Sequence, residues 1–234
     1  MSPLKFARST PKERQAANRC SDTKPEKQLI KAPLLQQVTE CFVQTRRIYL
    51  IDLSTLRSGI LHCLSGLHVR LDVLGLDDCW LEGGNESVSS ETFHDRFKSR
   101  LPDPNGELAD VLLCWNFLNY LSPPEITAMM DILLPRLSSQ VEVHAVIESS
   151  AVDMPARPDV MSLSSGGIIE SWPYAVEFPD RTDSHRDSES LPDHNRIPAP
   201  RHSTDVLQAS MPGLVAEQTV LLGNGQKEYL FRRS

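Results

Sequence analysis

"ADVLLCWNFLNYLSPPEITAMMDILLPRL", residues 109–137, decides the architecture of this 234-residue chain. Ala109 to Trp115 is a continuous apolar run of strand length, the pattern of a strand covered on both faces. "SPPE", residues 122–125, predicts a helix start. Ser122 can cap the free N–H groups, Pro123 sits where no donor is missed, and Glu125 completes the capping box. Ile126, Met129, Met130, Leu133, Leu134 and Leu137 then recur at helical spacing and define a buried stripe. "QVEVHAVIE", residues 140–148, follows as a strand. Strand, helix and strand in this order are one unit of a parallel sheet.

The same rhythm extends toward the N-terminus. Leu34, Leu35, Val38, Cys41 and Phe42 lie on one helical face. "RIYLID", residues 47–52, is a strand ending in a carboxylate. Ser54 or Thr55 can cap a helix running to about Leu64, with Ile60, Leu61 and Leu64 inward and Gly66 just past its end. "HVRLDVLGL" is a second strand, and a short helix is expected near Phe93–Phe97 within an otherwise polar stretch. At the other end, "GLVAEQTVLLGNGQKEYLFRR" reads as a hairpin around Gly223-Asn224-Gly225. The fold class is α/β: a mostly parallel sheet finished by an antiparallel C-terminal hairpin.

Composition sets the boundaries. Apolar residues make up 40% and aromatic residues 6%, a little low for a fully packed chain, so part of it is expected to stay outside the core. Residues 1–31 read as a disordered basic tail and residues 32–234 as one domain, with a polar, flexible insertion at about 179–205. The tail carries +5 and the remainder −12, giving a net charge of −7. That balance argues against nucleic-acid binding and leaves the tail as the candidate contact for an acidic protein partner. Five scattered cysteines form no disulfide or zinc pattern, no apolar run reaches membrane-spanning length, and the expected compartment is the cytoplasm.

The segment from Glu107 to Leu137 and the closing hairpin together resemble the class I methyltransferases that use S-adenosyl-L-methionine (SAM). The resemblance covers roughly residues 33–232, the insertion excepted. It implies a Rossmann-like sheet, a SAM cofactor and an unidentified small-molecule or protein acceptor. In that family the first strand ends in an acidic residue and runs into a G-x-G-type turn. Asp52 matches the acidic position, but Ser54, Leu56 and Ser58 stand where glycines are expected, and each adds a Cβ where backbone must approach ligand. Ser54 can keep part of the role through its hydroxyl, while Leu56 can occupy the ligand's space. A ribose-binding carboxylate is expected after the second strand, with Asp72 and Asp77 both candidates. Asn116 lies where the family often places a polar group near the reacting atom, though "NFLNYL" is not the N-P-P-Y type motif. The implied cofactor-binding set is therefore Asp52, Ser54, Asp72, Asp77 and Asn116, with no catalytic residue assigned.

Other chemistry finds little support. The seven histidines show no ligand spacing, so no metal is expected, and His144 is expected to face solvent or a helix's polar edge. No G-x-S-x-G elbow is present. "SSGG", residues 164–167, reads as a turn and not a phosphate cradle, and Trp172, Tyr174 and Phe178 read as core or lid packing. Two functions follow. One is a divergent SAM-dependent methyltransferase. The other is a non-catalytic relative that keeps the sheet as a protein-interaction scaffold, its groove closed by side chains.

Overall fold

The computed structural model describes residues 27–42, 47–54, 60–75, 90–164, 166–172 and 196–234. Expectations that rest on residues 1–26, on Leu56, Ser58 and Asp77, on Tyr174 and Phe178, or on residues 179–195 lie outside these.

The chain runs through β1 (Gln28–Lys31), α1 (Pro33–Phe42), β2 (Ile48–Asp52), β3 (Val69–Val73), α2 (Ser90–Arg100), β4 (Ala109–Trp115), α3 (Pro123–Leu133) and β5 (Leu137–Ile147). It continues through β6 (Asp153–Pro155), β7 (Val160–Ser164), β8 (Ile168–Trp172), β9 (Arg196–Pro198), α4 (Thr204–Ser210), β10 (Leu214–Leu221) and β11 (Lys227–Arg233). The main sheet has the order β10-β11-β5-β4-β2-β3. β3, β2, β4 and β5 are mutually parallel, while β11 and β10 run antiparallel. The mostly parallel sheet with a reversed C-terminal hairpin is thus as predicted. The chain leaves β2 for β3 on one side and returns to β4 on the other, so the sheet's switch point lies at the carboxyl ends of β2 and β4. Open α/β sheets bind ligands there.

Strand alternation builds two cores. Tyr49, Ile51, Leu112, Cys114, Val143, Ala145, Tyr229 and Phe231 pack against α2, α3 and α4. Ile48, Leu50, Val111, Leu113, Trp115, Val146 and Leu230 pack against α1. The second face is also covered by a small antiparallel sheet, β1-β8-β7, which contributes Ile30, Met161, Leu163 and Ile169. At the β10 edge, the Gln208 side chain donates to the Leu214 carbonyl and accepts from the Ala216 N–H at 2.9 Å. This blunts an edge that would otherwise template another strand.

Several sequence expectations need correction. The tail was expected to run to Lys31, but Gln28–Lys31 pairs with β8, because Ile30 alternates inward and buries its side chain. The insertion was expected to reach residue 205, yet Arg196–Pro198 pairs with Asp153–Pro155 and α4 begins at Thr204. Cys41 is exposed and Leu61 is 60% exposed, so neither joins its expected buried face. α3 stops at Leu133 because Pro135 cannot continue it, and Leu137 begins the next strand instead of closing the stripe. In α3's capping box the Glu125 carboxylate accepts from the Ser122 N–H and hydroxyl at 2.7 and 2.6 Å.

His144 carries the largest correction. It is fully buried, and its Nε2 lies 2.9 Å from Glu228 Oε1, also fully buried. That carboxylate accepts from the N–H groups of Leu34 and Leu35 at 3.0 and 2.7 Å. Ala32, before α1, offers no side-chain oxygen, so the helix is capped from a strand 193 residues away. "SSGG" is a turn as read: Gly166 and Gly167 take φ of +73° and +71° in the β7–β8 hairpin.

Candidate functional site

Asp52 ends β2 with no exposed surface, and its Oδ1 takes two donors. The N–H of Ser54 approaches it at 2.8 Å, an Asx-type turn that redirects the chain as it leaves the sheet. The second donor is the indole Nε1–H of Trp115, at 2.7 Å. Trp115 stands at the end of the neighbouring strand, where a register shift between Leu113 and Trp115 re-aims the side chain. Its φ is +49°, a region a bulky side chain rarely adopts. The ring thus lies on the carboxylate at the sheet's switch point, and its Nε1–H is bonded.

The space that remains there is about 10 Å³, lined by Leu53, Ser54, Trp115, Asn116, Asp159 and Met161 among others. A cavity of that size holds about one water molecule, whereas small-molecule sites run to roughly 300–1,000 Å³. Pro158 and Asp159, from the stretch between β6 and β7, and Met161, from β7 itself, close over the carboxyl ends of β2 and β4. Burial pushes the Asp159 carboxyl up to about 6, against the opposing pull of the Ser171 hydroxyl, 3.1 Å away, and of Arg196. Burial, with the Asp52 charge adding to it, raises the Cys114 thiol well above its ordinary value. That thiol has no nucleophilic character.

The sequence-predicted residues divide accordingly. Asp52, Ser54 and Asn116 meet at the switch point, with Ser54 and Asn116 each 7% exposed and lining the small cavity. Asp72 is not among them. It sits inside β3 opposite Ile51, accepts from the Tyr49 hydroxyl at 2.5 Å and pairs with Arg70 at 3.2 Å. Arg70 also stacks over the Tyr49 ring at 4.3 Å and reaches Glu107 at 3.1 Å, so Asp72 belongs to a structural network. Burial and this hydrogen bond push the Tyr49 hydroxyl up to about 12.

Sequence reasoning passed over three residues. Trp115 reads as the last apolar residue of a strand, and nothing local announces its bond to Asp52. Asp159 lies in an irregular stretch. Asn119 is buried, donates to the carbonyls of Asn116 and Val146 at 2.9 and 3.0 Å, and accepts from the Glu148 N–H at 2.8 Å. It ties the carboxyl ends of β4 and β5 together. The repeated Asn in "NFLNYL" was its sequence signal. No group of three or more metal-ligating side chains occurs among the described residues. Among them, no helix is long and apolar enough to cross a membrane.

No family model matches the chain, and no curated protein matches it in sequence. Solved structures similar to it include an S-adenosylmethionine-dependent methyltransferase from Clostridium acetobutylicum ATCC 824. That match has 12% identity and a TM-score of 0.46, covering 86% of this chain and 90% of the other. Another is the Burkholderia thailandensis 1,6-didemethyltoxoflavin-N1-methyltransferase with bound 1,6-didemethyltoxoflavin and S-adenosylhomocysteine (11%, TM-score 0.43, coverage 85% and 76%). A third is the mitomycin 7-O-methyltransferase MmcR (15%, TM-score 0.42), of which the chain spans about half, 52%, while 85% of this chain is covered. At these scores the likeness adds nothing to the strand order and side-chain geometry described above.

Among the described residues, those gathered at Asp52 do not fit the implied cofactor. Any ligand group reaching Asp52 would have to displace the Trp115 indole and strand a buried donor, at a cost of about 1–3 kcal/mol before any space is made.

Proposed function

We propose that the chain is a non-catalytic protein on a methyltransferase-type sheet, its cofactor cleft closed by its own side chains, which acts as a protein-interaction scaffold. The observation that carries this reading is the Trp115 indole bonded to Asp52 at 2.7 Å, in a cleft reduced to about 10 Å³. Thermal denaturation with SAM or S-adenosylhomocysteine tests it. A ligand that binds the native state raises the melting temperature by mass action, and no rise is expected at millimolar ligand. A rise that Asp52→Ala removes would overturn the reading.

A second reading, a divergent SAM-dependent methyltransferase with an unknown acceptor, draws on one feature. Ser54, Asn116 and Asp159 are polar groups gathered at the switch point. It requires Trp115 to leave Asp52, and its left-handed φ supplies strain that such a movement would release. The compartment we propose is the cytoplasm, in keeping with Cys63 and Cys114 as free thiols. The basic residues of the N-terminal tail are proposed to meet an acidic partner.

A further inference from the structure

A second, larger hollow lies beside the closed cleft and shares no lining residue with it. Its volume is about 540 Å³, within the roughly 300–1,000 Å³ typical of small-molecule sites. It is an open hollow, bordered by the start of α3, the β6–β9 pair and the start of α4. Tyr120, Met154, Ile197, Pro198 and Val206 give it apolar walls.

The polar groups in the wall are mostly committed. The Tyr120 hydroxyl donates to the Arg157 carbonyl, Ser122 is held by Glu125, and Ser203 accepts from the Val206 N–H. Asn119 is spent on the backbone of β4 and β5. Two groups remain. Arg201 is the one formally charged side chain among the described lining residues. Its Nε is pinned to the Ala151 carbonyl at 2.7 Å, and its two Nη groups have no partner among the described residues. His202 is 7% exposed, and its Nε2 lies 3.0 Å from the Leu121 carbonyl. A carbonyl can only accept, so Nε2 carries the proton and, in the neutral ring, Nδ1 keeps a lone pair. That Nδ1 meets no partner among the described residues, yet it is not sealed from solvent. A mostly buried residue of the hollow's wall thus keeps a solvent-accessible acceptor, beside a pinned guanidinium in the same wall.

We infer that this hollow binds a small apolar carboxylic acid that also carries an amide N–H or a hydroxyl. The carboxylate pairs with Arg201, the N–H or O–H donates to His202 Nδ1, and the apolar body lies among Tyr120, Met154, Ile197 and Val206. The inference does not depend on whether the cleft at Asp52 is closed.

Calorimetric titration with N-acetyl-L-phenylalanine tests it, set beside N-acetyl-L-phenylalanine amide, which lacks the carboxylate, and 3-phenylpropanoate, which lacks the N–H. Saturable one-to-one binding is expected for the first. The other two should bind about tenfold more weakly, the loss of one hydrogen bond to a charged or buried partner. Arg201→Gln should weaken the acid about tenfold and leave the amide unchanged. Val206→Trp, which fills the hollow from a partly exposed position, should abolish binding of all three while the melting temperature stays within a few degrees. Equal binding of acid and amide, indifference to both substitutions, or no binding to the intact chain would overturn the assignment. Should Val206→Trp fail to fold, the exposed Arg201→Gln decides alone.

Discussion

Glu228 and His144 meet diagonally across adjacent strands with no solvent on either side chain, and the Glu228 carboxylate also caps α1 from the far end of the chain. A carboxylate accepts, so His144 Nε2 donates, and Nδ1 has no partner among the described residues. Three donors converge on Glu228. Glu228→Ala is therefore expected to cost about 3 kcal/mol or more, each buried donor left unmet costing about 1–3 kcal/mol, with α1 loosened first. Urea denaturation and amide exchange at Leu34 and Leu35 check it. A loss below about 0.5 kcal/mol, the usual bound for surface changes, would contradict it.

At Gly167 the expectation is a backbone and packing penalty together. Its φ is +71°, and an added Cβ would stand 2.4 Å from the Gln36 Cβ on α1. Its carbonyl also accepts from the Ala32 N–H at 2.7 Å. Gly167→Ala should cost more than the roughly 1–2 kcal/mol of the left-handed conformation alone, read as a lowered urea midpoint. An unchanged midpoint would mean that β1 and the β7–β8 hairpin are not docked on α1 as described.

Much of this was legible in the sequence, and the limits have a physical cause. β4, α3 and the terminal hairpin are each announced by local signals: the apolar run, Ser122 with Glu125, and the Gly-Asn-Gly turn. The place of Asp52 at the end of β2 was legible for the same reason. What was hidden is non-local. The α1 cap comes from Glu228, while Ala32 gives no local hint. Asp72 looks like a strand-end carboxylate until the register puts it opposite Ile51, within reach of the Tyr49 hydroxyl. His144 alternates like a solvent-facing residue, because the small sheet and α1 covering that face are not written in β5.

Asp159 should give the protein a readable pH dependence. Its carboxyl stands at about 6 in the folded chain, against about 3.9 for an unfolded one. Between those values the folded state holds more protons than the unfolded state. Stability therefore falls as pH rises from about 4 to about 6 and levels off above that. Asp159→Asn should remove that decline and leave the protein about 2–3 kcal/mol more stable than wild type near pH 7. The readout is the difference between wild-type and variant urea midpoints across pH 4–8. A constant difference would place the Asp159 carboxyl in water.

The Trp115–Asp52 bond should also appear as coupling. Trp115→Phe keeps an aromatic ring but deletes the donor, leaving Asp52 with one fewer bond in a fully buried position. A loss of about 2 kcal/mol is expected. In a double-mutant cycle with Asp52→Ala the two losses should fall short of additive by about 1 kcal/mol or more. Additive losses would mean that the indole and the carboxylate do not interact.

The indole N–H resonance of Trp115 reports most directly on whether the cleft is closed. Trp115→Phe assigns it among the signals of the chain's three tryptophans. With the bond to Asp52 intact, that resonance is expected to exchange slowly with solvent and to stay in place as SAM or S-adenosylhomocysteine is added to millimolar concentration. A shift that saturates with added ligand, accompanied by faster exchange of the indole proton, would mean that the ring gives way and that the cleft takes the cofactor.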